Sequence, residues 1–189
     1  MRRIVAMLSA MTVMAVLAAG VAFAAEVDCT TDPCLGTRGD DEIHGTENPD
    51  TIRALAGDDF VFSALGDDTI YLDNGKDRAD GGGGNDTIYG GVGSDRYLAG
   101  AEDSDTVYGG KGNDVINAAA FDTPLESLET QPVDYSYGES GNDTIDAEDG
   151  NVDYIDCGEG RKDTVYYDVE IDTVTNCEVL NPPRTTPPV

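Results

Sequence analysis

Ser63 to Leu98 reads SALGDDTIY, LDNGKDRAD, GGGGNDTIY, GGVGSDRYL, four consecutive units of nine residues in one register. In each unit the fourth residue is glycine, the sixth is aspartate and the eighth is apolar or aromatic. The register extends backward through ALAGDDFVF from Ala54 and GTENPDTIR from Gly45 to GTRGDDEIH from Gly36. Forward, a ten-residue unit from Ala99 to Tyr108 leads to GGKGNDVIN from Gly109. After an insertion at 118–137 the pattern resumes as GESGNDTID from Gly138, and two ten-residue units, Ala147 to Asp156 and Cys157 to Tyr166, complete twelve. A fixed short period of this kind denotes a repeat architecture in which each unit stacks on its neighbours.

Each position has a physical reason. Glycine at the fourth place (Gly39, Gly57, Gly66, Gly75, Gly84, Gly93, Gly112, Gly141) allows a sharp turn that directs main-chain oxygens into the loop. The sixth-place carboxylates are Asp41, Asp50, Asp59, Asp68, Asp77, Asp86, Asp95, Asp114 and Asp143, with Asp105, Asp153 and Asp163 displaced by one place in the ten-residue units. A short strand follows, and the alternation of strand side chains turns one residue inward: Ile43, Ile52, Val61, Ile70, Ala79, Ile88, Tyr97, Val107, Ile116, Ile145, Ile155 and Val165.

The units resemble the glycine-rich RTX, or hemolysin-type, repeats of pattern GGxGxDxUx, where U is a large apolar residue. GGGGNDTIY, GGVGSDRYL and GGKGNDVIN match best; other units replace the first glycines with Ala, Leu or Ser. The resemblance implies an all-β fold, a parallel β-roll (a β-solenoid) over residues 36–166 with two repeats per coil. Each turn then stacks on the turn two units later, about 4.8 Å away, so that Asp41 lies near Asp59, Asp50 near Asp68, and so on along two edges. The N-terminal leader, the short cysteine pair and the C-terminal stretch around Cys157 and Cys177 are similar to those of stand-alone bacterial calcium-binding proteins of this type.

Energetics point to a cation. Stacked carboxylates about 5 Å apart repel by roughly 1 to 3 kcal/mol. One inward apolar side chain per unit returns about 1.5 to 3 kcal/mol, against roughly 1 to 2 kcal/mol of backbone entropy for every residue ordered. A divalent ion between turns reverses this balance by turning carboxylates and main-chain carbonyls into one coordination shell. Six to eight oxygens in a flexible cage suit calcium, whereas magnesium demands a tight octahedron. Several calcium ions are therefore the expected cofactor, held by the sixth-place aspartates and fourth-place glycines from Asp41 to Asp143, with folding coupled to binding.

The chain has 189 residues, 38 acidic against 11 basic, 23 glycines and no tryptophan. Nucleic acid is excluded as a partner by this charge. Met1 to Ala24, with Arg2 and Arg3 before an apolar run ending in Ala22-Phe23-Ala24, reads as a secretory signal peptide. Its removal leaves no membrane span and makes the formal charge of −27 two charges more negative. The expected location is extracellular.

Four cysteines in an exported chain suggest two disulfides. Three pairings are possible, and spacing favours Cys29 with Cys34 and Cys157 with Cys177. The expected organisation is a signal at 1–24, an N-terminal disulfide cap at 25–35, the roll, a C-terminal cap at 167–180 and a Pro-rich disordered tail at 181–189. Thr123-Pro124-Leu125-Glu126 predicts a short helix over 124–130 within the insertion.

No enzyme is expected. His44 is the single histidine, at an outward strand position without a nucleophile beside it, and the carboxylates recur too regularly to form a distinct acid–base pair. The alternative function is surface recognition, of a cell-surface or carbohydrate partner, by outward columns of Thr51, Thr69, Thr87, Thr106, Thr144 and Thr164 beside Tyr71, Tyr89, Tyr108 and Tyr166.

Overall fold

The computed structural model describes residues 25–30, 32–119 and 132–181. Two parallel sheets face one another and the chain alternates between them, so each pair of units completes a coil. One sheet, A, runs β1 (Glu26–Asp28), β3 (Glu42–His44), β5 (Phe60–Phe62), β8 (Arg78–Gly83), β11 (Tyr97–Glu102), β13 (Val115–Asn117), β15 (Thr144–Ala147), β17 (Thr164–Tyr167) and β19 (Val179–Asn181). The other, B, runs β2 (Cys34–Leu35), β4 (Thr51–Arg53), β6 (Thr69–Tyr71), β9 (Thr87–Tyr89), β12 (Thr106–Lys111), β14 (Tyr135–Ser140), β16 (Tyr154–Asp156) and β18 (Thr173–Thr175). Two-residue strands β7 (Asn74–Gly75) and β10 (Val92–Gly93) pair within the turns of one edge. The described residues contain no helix, and the fold is the parallel β-roll that the repeat implies. The proposed signal peptide, the 124–130 helix and residues 182–189 of the tail lie outside the described residues.

Strands this short carry little intrinsic stability; register comes from what they bury. Ile43, Val61, Ala79, Leu98, Ile116, Ile145 and Val165 form one inward column and Ile52, Ile70, Ile88, Val107 and Ile155 the other, all essentially inaccessible. The core is these two columns together with a few apolar side chains at the first place of units, Ala54, Leu72, Ala118, Ala147 and Cys157.

Two features depart from the sequence reading. The inward residue of β11 is Leu98, opposite Ala79, and not Tyr97, which pairs with Arg78. Asp95 keeps the eighteen-residue step from Asp77, so the extra residue lies between Asp95 and Leu98. The unit therefore runs from Gly90 to Ala99, and Asp105 stands at a regular sixth place counted from Gly100. A one-residue slip exchanges the faces of a strand, and here it buries the aliphatic Leu98 while leaving the tyrosine hydroxyl toward water.

The second departure concerns the insertion. Asp134 and β14 occupy a full place in sheet B, with Ser136 inward between Val107 and Ile155. The described end of the insertion, residues 132–137, supplies the aspartate and the strand of a further turn. Every later unit consequently changes sheets: Thr144, Thr164 and Tyr166 stand on sheet A and do not continue the Thr51–Thr106 column, whose place on sheet B is taken by Tyr135 and Tyr154. Both sheets also extend beyond the twelve units, through β1 and β2 at one end and β18 and β19 at the other.

Candidate metal centre

The sixth-place aspartates are nearly inaccessible, Asp77 and Asp163 completely so. Each is fixed in the same way. The backbone N–H of one aspartate donates to Oδ1 of the aspartate a coil later: Asp41 to Asp59, Asp59 to Asp77, Asp77 to Asp95 (2.8 Å each) and Asp95 to Asp114 (2.9 Å). Asp114 to Asp143, Asp143 to Asp163 and Asp163 to Glu178 continue that edge. On the opposite edge the ladder runs Asp50, Asp68, Asp86, Asp105, Asp134, Asp153, Asp172. The expected neighbours are therefore in place. Asp134, Asp172 and Glu178 were not expected in the series; the spacing to Asp134 is hidden by the insertion, and Glu178 is a longer residue in a shorter loop.

These bonds satisfy one carboxylate oxygen only. Oδ2 of Asp59, Asp68, Asp77, Asp86, Asp95, Asp105, Asp114, Asp143, Asp153 and Asp163 is buried with no hydrogen-bond partner. Such groups are rare in folded proteins, because each costs on the order of 1 to 3 kcal/mol, and more when charged. The Oδ2 atoms of Asp95, Asp114 and Asp143 sit inside their own turns, 2.6–2.9 Å from where a Cβ would project from Gly90, Gly109 and Gly138.

Fourth-place glycines supply the second component. Carbonyl oxygens of Gly39, Gly57, Gly75, Gly93, Gly112 and Gly141 each point at the fourth place of the next coil, where a Cβ on Gly57, Gly75, Gly93, Gly112, Gly141 or Gly160 would overlap or crowd them. On the other edge Gly66 points at Gly84 in this manner, but the column then meets Asp103, whose carboxylate accepts from the Gly84 N–H. Among the described residues no three His, Cys, Asp or Glu side chains converge on one point. Any ion between coils would draw on main-chain oxygens as well as carboxylates, which is the hard-oxygen chemistry of calcium. The orphaned Oδ2 atoms fit that group: a cation is the partner that each lacks.

Desolvation, opposed by the N–H bond and reinforced by the neighbouring carboxylates, raises these groups well above the ordinary aspartate value. Asp59 and Asp143 are pushed up to about 6, Asp77, Asp86 and Asp114 to about 7, Asp153 to about 8 and Asp105 to about 9. Without a cation, this interior does not tolerate its own charge. Lys162 stands exposed beside the site; Asp163 holds the ladder position.

Disulfides close both ends. Cys29 bonds Cys34 with Cα atoms 5.3 Å apart, and Cys157 bonds Cys177 at 5.1 Å. His44 lies on the surface, 3.5 Å from Glu42.

No curated protein matches the chain. The family model described as RTX calcium-binding nonapeptide repeat (4 copies) matches residues 35–70, 64–97, 71–104, 97–122 and 133–161. With more than half of its length matched, and with the coils, glycine columns and aspartate ladders in place, the chain belongs to the family of RTX calcium-binding nonapeptide repeat proteins.

Proposed function

We propose that this is a secreted, non-enzymatic protein that takes up several calcium ions between its stacked turns and folds as it does so. The observation that carries this reading is the set of ten buried Oδ2 atoms without partners. A core this narrow cannot offset ten buried, unpartnered carboxylate oxygens, whereas an ion in each gap stabilises both neighbouring turns at once. Secretion is supported by the leader sequence and by two disulfides, which persist in oxidising compartments. Cleavage after Ala24 would also leave an ammonium at Ala25, whose nitrogen lies 3.0 Å from Asp41 Oδ1. Calorimetry and equilibrium dialysis of residues 25–189 test the reading: several calcium ions per chain are expected, and none with magnesium in place of calcium at equal concentration.

A second reading rests on the outer face of sheet B. Tyr71, Tyr89, Tyr108 and Tyr137 stack with ring centroids 4.9, 5.0 and 4.9 Å apart and planes within 10°. Tyr135 and Tyr154 stack at 5.1 Å beside them. Parallel rings at that separation are offset, so part of each face stays uncovered. The outward positions themselves, Thr69 and Tyr71, Thr87 and Tyr89, Thr106 and Tyr108, Tyr135 and Tyr137, are uncharged on a chain of formal charge −27, with Lys111 and Glu139 at the border of the strip. We propose that calcium rigidifies the strip for recognition of an uncharged polymer, a cell-surface polysaccharide being the simplest. Thr69→Glu with Thr87→Glu is expected to lower retention on an immobilised neutral polysaccharide more than tenfold while leaving calcium-dependent circular dichroism unchanged; equal retention would refute this role.

A further inference from the structure

Among the turns described in full, and apart from that of Asp153, the aspartate turns are of two kinds. In nine of them the residue at the second place has left-handed φ: Leu55 (87°), Ala64 (82°), Asp73 (68°), Gly82, Gly91, Ala101 (86°), Gly110, Glu139 (67°) and Gly158. All nine carry an aspartate whose Oδ2 is buried and unpartnered; the tenth such oxygen, on Asp153, belongs to a ten-residue turn. Three other turns differ at the second place, where Thr37, Thr46 and Asp168 keep negative φ. Their N–H groups point inward instead of away, and donate to Oδ2 of Asp41 (2.5 Å), Asp50 (2.6 Å) and Asp172 (2.6 Å). Thr37 adds its hydroxyl to Asp41 Oδ1 at 2.9 Å.

These three turns lie at the ends of the roll: Gly36–Asp41 and Gly45–Asp50 form the first coil of repeats, and Tyr167–Asp172 the last turn of its edge. A β-branched residue resists left-handed φ, so threonine at the second place enforces the inward N–H. The physical need is specific to an end. An ion in the middle of the roll is shared by turns above and below it, whereas an ion on the terminal turn would have half a shell. Each end is also held by a disulfide, Cys29–Cys34 beside the first coil and Cys157–Cys177 beside the last.

We propose that these three turns are calcium-independent caps, in which the chain's own N–H groups take the place that an ion takes in the interior. The proposal rests on the calcium reading above. In a repeat stack, whose stability is a sum of neighbour interactions, such ends supply a pre-formed surface on which calcium-dependent coils add inward.

The test counts ions on the full mature chain with its disulfides intact. Equilibrium dialysis at saturating calcium is expected to give the same number of ions for Asp172→Asn as for the unaltered chain, and at least one fewer for Asp77→Asn, with circular dichroism confirming the fold. Loss of an ion in Asp172→Asn equal to that in Asp77→Asn overturns the proposal. A readout independent of any variant is the anomalous signal in calcium-grown crystals of the unaltered chain. Peaks are expected between interior turns and none within Gly36–Asp41, Gly45–Asp50 or Tyr167–Asp172; a peak in any of these three overturns the cap assignment while leaving the calcium reading intact. An unaltered chain that binds no calcium overturns the calcium reading itself.

Discussion

Gly112→Ala is expected to destabilise the roll by about 3 kcal/mol or more, the sum of a strained backbone and a forced separation of coils. Gly112 has φ of +144°, a region that L side chains rarely adopt, and its Cβ would overlap the carbonyl oxygen of Gly93 in the preceding coil. That oxygen belongs to the backbone and has no rotamer to escape into. Moving the coils apart would also strain the Asp95 N–H bond to Asp114 next to it. The internal control is Gly150→Ala: Gly150 also has positive φ, +94°, but a Cβ there meets nothing within 4 Å, so only the local cost of about 1 kcal/mol remains. Calcium titrations followed by circular dichroism should show a midpoint raised at least tenfold for Gly112→Ala and only severalfold for Gly150→Ala. Equal midpoints would show that the glycine column does not set the inter-coil spacing.

The second large effect is on pH. In the folded, metal-free roll the aspartates hold protons up to about 6 for Asp59 and about 9 for Asp105, against 3.8 for the unperturbed group. Between those values the folded state binds more protons than the unfolded chain, so its stability falls as pH rises. The metal-free roll should therefore gain structure progressively as pH is lowered from about 9 toward 4, and gain nothing further below the unfolded value. Calcium acts in the opposite sense: it needs the carboxylates ionised, so its binding releases protons and weakens as pH falls below about 7. Circular dichroism in chelator across pH 4 to 9, with proton release measured in unbuffered calcium titrations, checks both arms. A metal-free chain whose β content rises with pH would contradict the origin assigned to these shifts.

Much of this was legible because the period is strict. Positions four, six and eight of each unit carry one chemical role apiece, so the carboxylate series and eleven of the twelve inward residues follow from counting, while the β-roll and the pairing of carboxylates along two edges follow from the resemblance to RTX repeats. Counting failed where two apolar residues adjoin, at Tyr97-Leu98, since either satisfies an alternation and only packing against Ala79 selects Leu98. It failed again at Asp134-Tyr135-Ser136-Tyr137, where a serine fills the inward place and no glycine precedes the aspartate. That omission moved Thr144 and Thr164 to the wrong sheet and hid Tyr137 from the tyrosine stack. The hydrogen-bond ladder itself had no side-chain signature, because its donor is the backbone N–H of the aspartate in the preceding coil. For the same reason, the distinction between Thr37 and Leu55 at the second place emerges only from φ and the direction of one N–H.

The central claim is that cations complete the buried carboxylates, and a calcium titration of residues 25–189 at pH 7.5, followed by circular dichroism with magnesium as control, tests it most directly. A chain largely without β structure in chelator, folding cooperatively with several calcium ions and failing to do so with magnesium, is the predicted result. Full β structure in chelator, unchanged by millimolar calcium, would contradict it.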